Sequence, residues 1–272
     1  MYKLVFLTLL FFTIRLEAQI TKVEHFYMSS PQAEKYFKLF KDQLGLPVVW
    51  DYKEWGGFSS GGVTLGNVVF EFVWYDGVKQ TKFEGIALEP KQPVQTFIKD
   101  LDKLGIAHDS ISVNSKMNAS GNLVGWDNLS LYGVLPSEAG LFICDYKQRD
   151  MIARGRAQAI AALQEANGGP LGVIAMKEFV ILTTDIDAYK SSIAKLPGVT
   201  SQKENLFSFS EGPAIRLSPS ERNIIEKIVI QVKSIEQAKN YLKSINLLGK
   251  VDSNSVYLDE LAMDGLKIEL VE

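Results

Sequence analysis

Two histidines occur in the whole chain, and their surroundings differ. His25 stands in KVEHFYM, Lys22 to Met28, an apolar strand-like run that ends at the turn Ser29-Ser30-Pro31. An imidazole in such a place either packs as a hydrogen-bonded core residue or offers a nitrogen to a metal. His108 begins a run after a helix-like segment and reads as a surface residue. Glu71 raises a sharper question, because NVVFEFVWY sets it between Phe70 and Phe72. An ionised carboxylate there is costly to bury alone, so a metal, an Arg or Lys side chain, or solvent must meet it. Cys144, the single cysteine, lies in the apolar run LFICDY, where an inert buried thiol is expected and no local base marks a nucleophile. The stretch GFSSGG lacks the Lys and the strand–loop–helix setting of a phosphate loop.

The elements that must position these residues follow from periodicity. Residues 21–28 read as a strand, and QAEKYFKLFKDQL as a helix with Ala33, Tyr36, Phe37, Phe40 and Leu44 on one face, stopped by Gly45. Strand-like runs follow over 47–52, 58–66 and 67–75, giving the order β-α-β-β-β. The order repeats with a strand over 83–90, a helix over 94–104 closed by Gly105, and strands over 107–113, 128–135 and 140–147. An Ala-rich helix over 149–167 ends at Gly168-Gly169-Pro170. Beyond it, KEFVILTTD, a helix over 186–195, NLFSFSEG and PAIRLSP form a third unit. EKIVIQVKS, IEQAKNYLKSI, KVDSNSVYLDE and GLKIELVE form a fourth. A period of roughly 50–60 residues is too long for most solenoid repeats. The expected fold class is α+β: four βαβββ modules arranged as two pairs of curved mixed sheets.

Composition bounds the partners. With 272 residues, 46% hydrophobic and 22% charged, the chain is globular and long enough for one large core or two ordinary ones. The net charge of −3 and the lack of a dense Lys/Arg cluster argue against nucleic acid. At the N-terminus, Lys3, the apolar run from Leu4 to Ile14 and Leu16-Glu17-Ala18 have the layout of a removable secretory signal cleaved after Ala18. That run is too short to span a bilayer. The expected organisation is a signal over 1–18, a first module pair over 19–148, a connecting helix and turn over 149–170, and a second, degenerate pair over 171–272. The protein is thus expected to be secreted or periplasmic, with no membrane partner beyond the signal.

Paired βαβββ modules are the hallmark of the vicinal oxygen chelate superfamily, which includes glyoxalase-type lyases, extradiol dioxygenases and bleomycin-resistance-type binding proteins. HFYMSSPQAEKYFKLFKDQLGLPVVWD and GFSSGGVTLGNVVFEFV resemble its opening module, and FEGIALEPKQPVQTFIKDLDKLGI resembles its second. The resemblance covers nearly the whole chain after the signal, and it implies a metal held by side chains on the first and last strands of a module pair. Those positions are His25 and Gly85 with Glu71 and Asp145 in the first pair, and Glu178 and Lys227 with Arg216 and Glu269 in the second.

The first pair thus implies a divalent Mn, Fe, Ni or Zn site of His25, Glu71 and Asp145, with Glu71 doubling as the catalytic base. The second pair offers two carboxylates and two cations, which are expected to neutralise each other as ion pairs. Gly85, where a second His would be needed, argues against extradiol dioxygenase chemistry. Trp55 and Phe58, beside Gly56-Gly57, are candidate rim residues for an apolar or aromatic ligand. The implied function is a secreted glyoxalase-like enzyme, of lyase or isomerase type, acting on a small oxygen-bearing substrate. The alternatives are metal-free sequestration of a small molecule, as in bleomycin-resistance-type proteins, and a structural protein without a site. Either a monomer or a homodimer is compatible with paired modules.

Overall fold

The computed structural model describes residues 20–201, 203 and 205–272. The N-terminal segment read above as a signal lies outside them. The first module runs β1 (Ile20–Ser29), α1 (Ala33–Lys38, continued by a π turn over Leu39–Gln43), β2 (Val48–Glu54), β3 (Phe58–Thr64) and β4 (Val69–Tyr75). The second runs β5 (Lys82–Pro90), α2 (Val94–Leu104), four short strands β6 (Ala107–His108), β7 (Ser112–Val113), β8 (Lys116–Met117) and β9 (Leu123–Val124), then β10 (Trp126–Tyr132) and β11 (Gly140–Tyr146). Helix α3 (Arg149–Glu165) connects to β12 (Val173–Thr183), α4 (Ile186–Ile193), β13 (Thr200–Ser201), β14 (Leu206–Ser208) and β15 (Ala214–Pro219). The last module is β16 (Ile224–Val232), α5 (Ile235–Ser244), β17 (Leu248–Val251), β18 (Ser255–Leu258) and β19 (Lys267–Val271).

Two large mixed sheets result. In the first, the order is β2-β3-β4-β1-β5-β11-β10-β6, with β7 also on β10; in the second it is β13-β14-β15-β12-β16-β19-β18-β17. Each sheet therefore joins two modules through their antiparallel first strands, β1 with β5 and β12 with β16, while each last strand runs parallel to its own first strand. The expected α+β pairing of modules is the observed one. The strand expected over 107–113 is divided instead into β6 and β7. Between them the Asp109 N–H donates to the Ser130 carbonyl, and the Asp109 side chain accepts from the Ser110 N–H.

Alternation along the strands sorts side chains between a packed face and a cavity face. Phe26, Phe70 and Phe72 go to the packed face, where Phe26 stacks on Phe70 at 4.5 Å and Phe40 of the helical segment meets Phe70 edge-on at 5.2 Å. Phe26 also meets Phe179 of β12 edge-on at 5.0 Å, so the two halves share one hydrophobic cluster. Gly45 closes the first helical segment at φ +66, and a Cβ there would lie 2.8 Å from the Pro170 ring, a close approach between the halves that only glycine permits. Among the described residues no helix is long and apolar enough to cross a membrane.

Candidate functional site

The concave side of the first sheet encloses a cavity of about 830 Å³ whose walls include Tyr27, Trp50, Trp55, Phe58, Trp126 and Phe142. Its polar floor comes from β1. Strict alternation would send Glu24 and His25 to opposite faces, but the β1–β5 register shifts between Val23 and His25. The bulge makes Glu24 the extra residue, so Val23 and Phe26 keep the packed face while Glu24 and His25 both turn to the cavity side. Glu24 is wholly buried beneath His25, and its carboxylate contacts His25 Nδ1 and the Arg156 guanidinium. The Tyr146 hydroxyl donates to it at 3.3 Å. On the other ring edge, His25 Nε2 lies 3.5 Å from Glu71 Oε2.

These contacts set the charge states. Burial raises the Glu24 carboxyl pKa, but the opposing pull of His25 and Arg156 wins and holds it below its usual value. Burial likewise works against a charged His25, yet Glu24 and then Glu71 raise its pKa above the usual imidazole value. Glu71 behaves the other way. Its burial outweighs the attraction of His25 and a hydrogen bond from Ser60, so its pKa is raised. The site thus pairs a carboxylate held below its usual pKa with a second one raised above it, across an imidazole whose own pKa is raised.

Of the residues expected to form a site, His25, Glu71, Trp55 and Phe58 line this cavity. Trp55 and Phe58 both meet the Trp126 ring edge-on, at 5.6 and 6.5 Å. The Trp55 indole N–H and the Asn128 side-chain oxygen are buried and without a hydrogen-bond partner among the described residues.

Asp145 does not join them. It faces the other side of β11, where it accepts from the Val94 N–H at 3.1 Å at the start of α2, and pairs with Lys147 at 2.9 Å and Arg149 at 2.5 Å. The register explains the misplacement. Parallel pairing sets Phe142 beside Ala87 in the first sheet and Glu269 beside Val229 in the second, while Ala87 faces His25 as Val229 faces Glu178. The position equivalent to Glu269 is therefore Phe142, three residues earlier than Asp145, and an odd offset reverses the face. The remaining position, Gly85, is covered: a Cβ there would lie 2.3 Å from Tyr27 Cε1. Expected ion pairs do form in the second sheet, where Arg216 meets Glu178 through two bonds of 2.9 and 2.8 Å and Lys227 meets Glu269 at 2.5 Å. His108 pairs with Asp102 at 3.0 Å at the surface.

Three important residues were not legible as site members. Glu24 needed the bulge, Cys144 needed the face of β11, and Arg156 needed the docking of α3. Glu24, His25 and Cys144 form a candidate metal-binding group, with donor atoms all within 4.8 Å of one another. As they stand these residues do not fit a divalent ion. Both Glu24 oxygens have close neighbours, Oε1 the Arg156 guanidinium as an ion-pair contact without a hydrogen bond, and Oε2 His25 Nδ1 and the Tyr146 hydroxyl. Burial, with the Glu24 charge next, pushes the Cys144 thiol well above its usual pKa, so an ion binding there would have to displace its proton. Of the four inward positions that the strand register makes equivalent in the two sheets, Gly85 and Phe142 carry no donor atom in the first, and Asp145, expected there as a ligand, lies on the other face.

Comparison with known proteins places the fold. No protein-family model matches the chain, and no curated protein matches it in sequence. Solved structures do match in shape. The 2,3-dioxygenase LapB from Pseudomonas sp. KL28 superposes with a TM-score of 0.60 at 12% identity, over 93% of this chain and 92% of that one. Homoprotocatechuate 2,3-dioxygenase from Brevibacterium fuscum, in complex with 3,4-dihydroxyphenylacetate, gives 0.58 at 12% identity, over 94% and 81%. A hypothetical protein from Staphylococcus aureus gives 0.60 at 10% identity, over 92% and 98%. At such identities the likeness is one of fold, two sheets each built from a pair of βαβββ modules.

Proposed function

We propose that the first sheet's cavity binds a small oxygen-bearing molecule with an apolar or aromatic body, and that Glu71 moves a proton beside its carbonyl. That is lyase- or isomerase-type chemistry of the glyoxalase kind. The observation that supports it is Glu71 itself: a largely buried carboxylate of raised pKa, 3.5 Å from the His25 ring, in a cavity walled by aromatic rings. A carboxylate tuned upwards is a stronger base near neutral pH. Glu71 would take the proton from the carbon next to the carbonyl, and the C–H electron pair would shift towards the carbonyl oxygen. The charge developing there would be met by the His25 ring, whose Nε2 lies beside Glu71 at the cavity. The protonated Glu71 would then return the proton to carbon. No step in this scheme passes through a metal.

Tyr27 and Phe142, which fill the positions where further ligands would stand, favour a second reading, capture of a ligand without reaction. The two readings separate by deuterium exchange. A panel of small α-hydroxy ketones and aryl ketones is incubated with the protein in D2O and followed by NMR. Exchange at the carbon beside the carbonyl, lost by about 100-fold or more in Glu71→Gln, is the expected result. Exchange no faster than in buffer, alongside thermal stabilisation by the same compounds, would leave capture as the function. We also infer export from the N-terminal layout. Mass spectrometry of the protein from its native host should find cleavage after Ala18, and an intact N-terminus would refute it.

A further inference from the structure

The corner behind His25 holds a cation that the proposed proton transfer does not use. Arg156 comes from the connecting helix α3, outside all four modules, and is only 8% exposed. Three groups fix it: the Glu24 carboxylate, the Glu89 carboxylate at 2.9 Å, and the Tyr146 ring, whose centroid lies 5.2 Å from the guanidinium carbon. We propose that Arg156 is the resident cation of this site, standing where a divalent ion would otherwise bind Glu24, His25 and Cys144, and that the cavity operates without a metal.

The surrounding geometry supports this from several directions. A bulge in β1 turns Glu24 inwards, and the matching bulge in β12, between Met176 and Glu178, leaves Lys177 exposed. The inward acid is thus particular to the sheet that α3 covers. Around Arg156 the carboxylates already have basic neighbours: Glu24 has Arg156 and His25, Glu89 has Arg156 and Lys22, and Glu71 has His25. A dication inserted beside Glu24 would leave a surplus of positive charge in a buried place, next to a guanidinium that cannot release its proton. The rings of Tyr27 and Phe142 take up the other ligand positions: Phe142 meets His25 edge-on at 5.5 Å and Tyr27 at 6.2 Å. Arg156 is a positioning residue here. It holds Glu24, which holds His25 by Nδ1, which turns Nε2 towards Glu71.

The test is metal binding itself, so its outcome does not depend on which ligand the cavity takes. The full chain, purified without chelators, should contain no stoichiometric metal by elemental analysis, and neither EDTA nor zinc chloride should move its Tm. Arg156→Lys, which keeps the charge, should stay metal-free. Arg156→Met frees Glu24, His25 and Cys144, and calorimetric titration should show zinc binding tighter by roughly 100-fold or more, the gain from removing a like charge a few ångströms away. That gain should release a proton from the thiol and vanish when Cys144→Ser is added. The proposal is overturned if the unaltered protein carries about one equivalent of an ion whose removal lowers Tm. A folded Arg156→Met protein with unchanged zinc affinity overturns it equally. Should Arg156→Met not fold, the metal content and EDTA response of the unaltered protein and of Arg156→Lys decide the matter.

Discussion

The two sheets present the same four inward positions and resolve them differently. In the second, Glu178 is matched by Arg216 and Lys227 by Glu269, each pair bridging neighbouring positions of the same sheet. In the first, the equivalents are His25, Glu71, Gly85 and Phe142, and the charges are not settled within the sheet. His25 leans on Glu24 from a bulge and Glu71 has His25 and Ser60 as its partners among the described residues, while Arg156 arrives from a helix outside the modules. One sheet has closed its centre with local ion pairs. The other keeps a cavity and draws its balancing charge from elsewhere in the chain. A carboxylate left with a weak partner is the kind of group that exchanges protons, which is why the reactive residue is sought in the first sheet.

The largest effect should come from breaking each centre in turn. Arg156→Met takes one of its two basic partners from the fully buried Glu24, leaving His25, and should cost about 3 kcal/mol in urea unfolding. Arg216→Met strips Glu178 in a more open setting and should cost about 1–3 kcal/mol. Equal losses would mean that the two centres are energetically alike.

A smaller pair of changes tests which face of β11 belongs to the site. Asp145→Asn weakens the cap on α2 and should lower stability by about 1 kcal/mol, with ligand-induced stabilisation unchanged. Trp55→Ala, by contrast, should reduce that ligand effect with an affinity loss of roughly tenfold, since an aromatic contact is worth about 0.5–1.5 kcal/mol. Loss of ligand binding in Asp145→Asn would return that residue to the site.

The smallest effect is a slope with pH. The folded state raises the His25 pKa above 6.5, so its pairing stabilises fully below pH 6.5 and is lost as pH rises through the raised value. Urea midpoints should therefore fall on the alkaline side of pH 6.5, and His25→Gln should flatten that limb. Glu269, with its pKa lowered below 4.5 by Lys227 against the effect of burial, stabilises above pH 4.5 and loses that contribution only in acid. Glu269→Gln should thus alter the acid limb alone. An unchanged alkaline slope in His25→Gln would separate the ring from the Glu24 charge.

The module order was legible because it is written locally. Helical spacing in Ala33, Tyr36, Phe37 and Phe40, strand runs such as Val68 to Trp74, and glycine stops at Gly45 and Gly105 each depend on near neighbours in the chain. The ion pairing of Glu178, Arg216, Lys227 and Glu269 was legible too, since repetition put opposite charges at matching places. The site was half legible. Glu71 declared itself as an acid among apolar residues, and Trp55 and Phe58 as aromatics beside a glycine pair. Asp145 misled because its strand was aligned by sequence similarity, and a three-residue slip in register exchanges the two faces of a sheet.

Taken alone, the sequence determined the four βαβββ units, their pairing and the short list of groups able to carry charge, because periodicity and turn chemistry act over a few residues. Only the tertiary structure decided which of those groups meet. A single bulge in β1 turns Glu24 inwards, the β5–β11 register puts Phe142 where a ligand was expected, and α3 delivers Arg156 across 132 positions of chain from Glu24. Charge interactions in a buried place depend on distances of a few ångströms, and chain separation does not encode them.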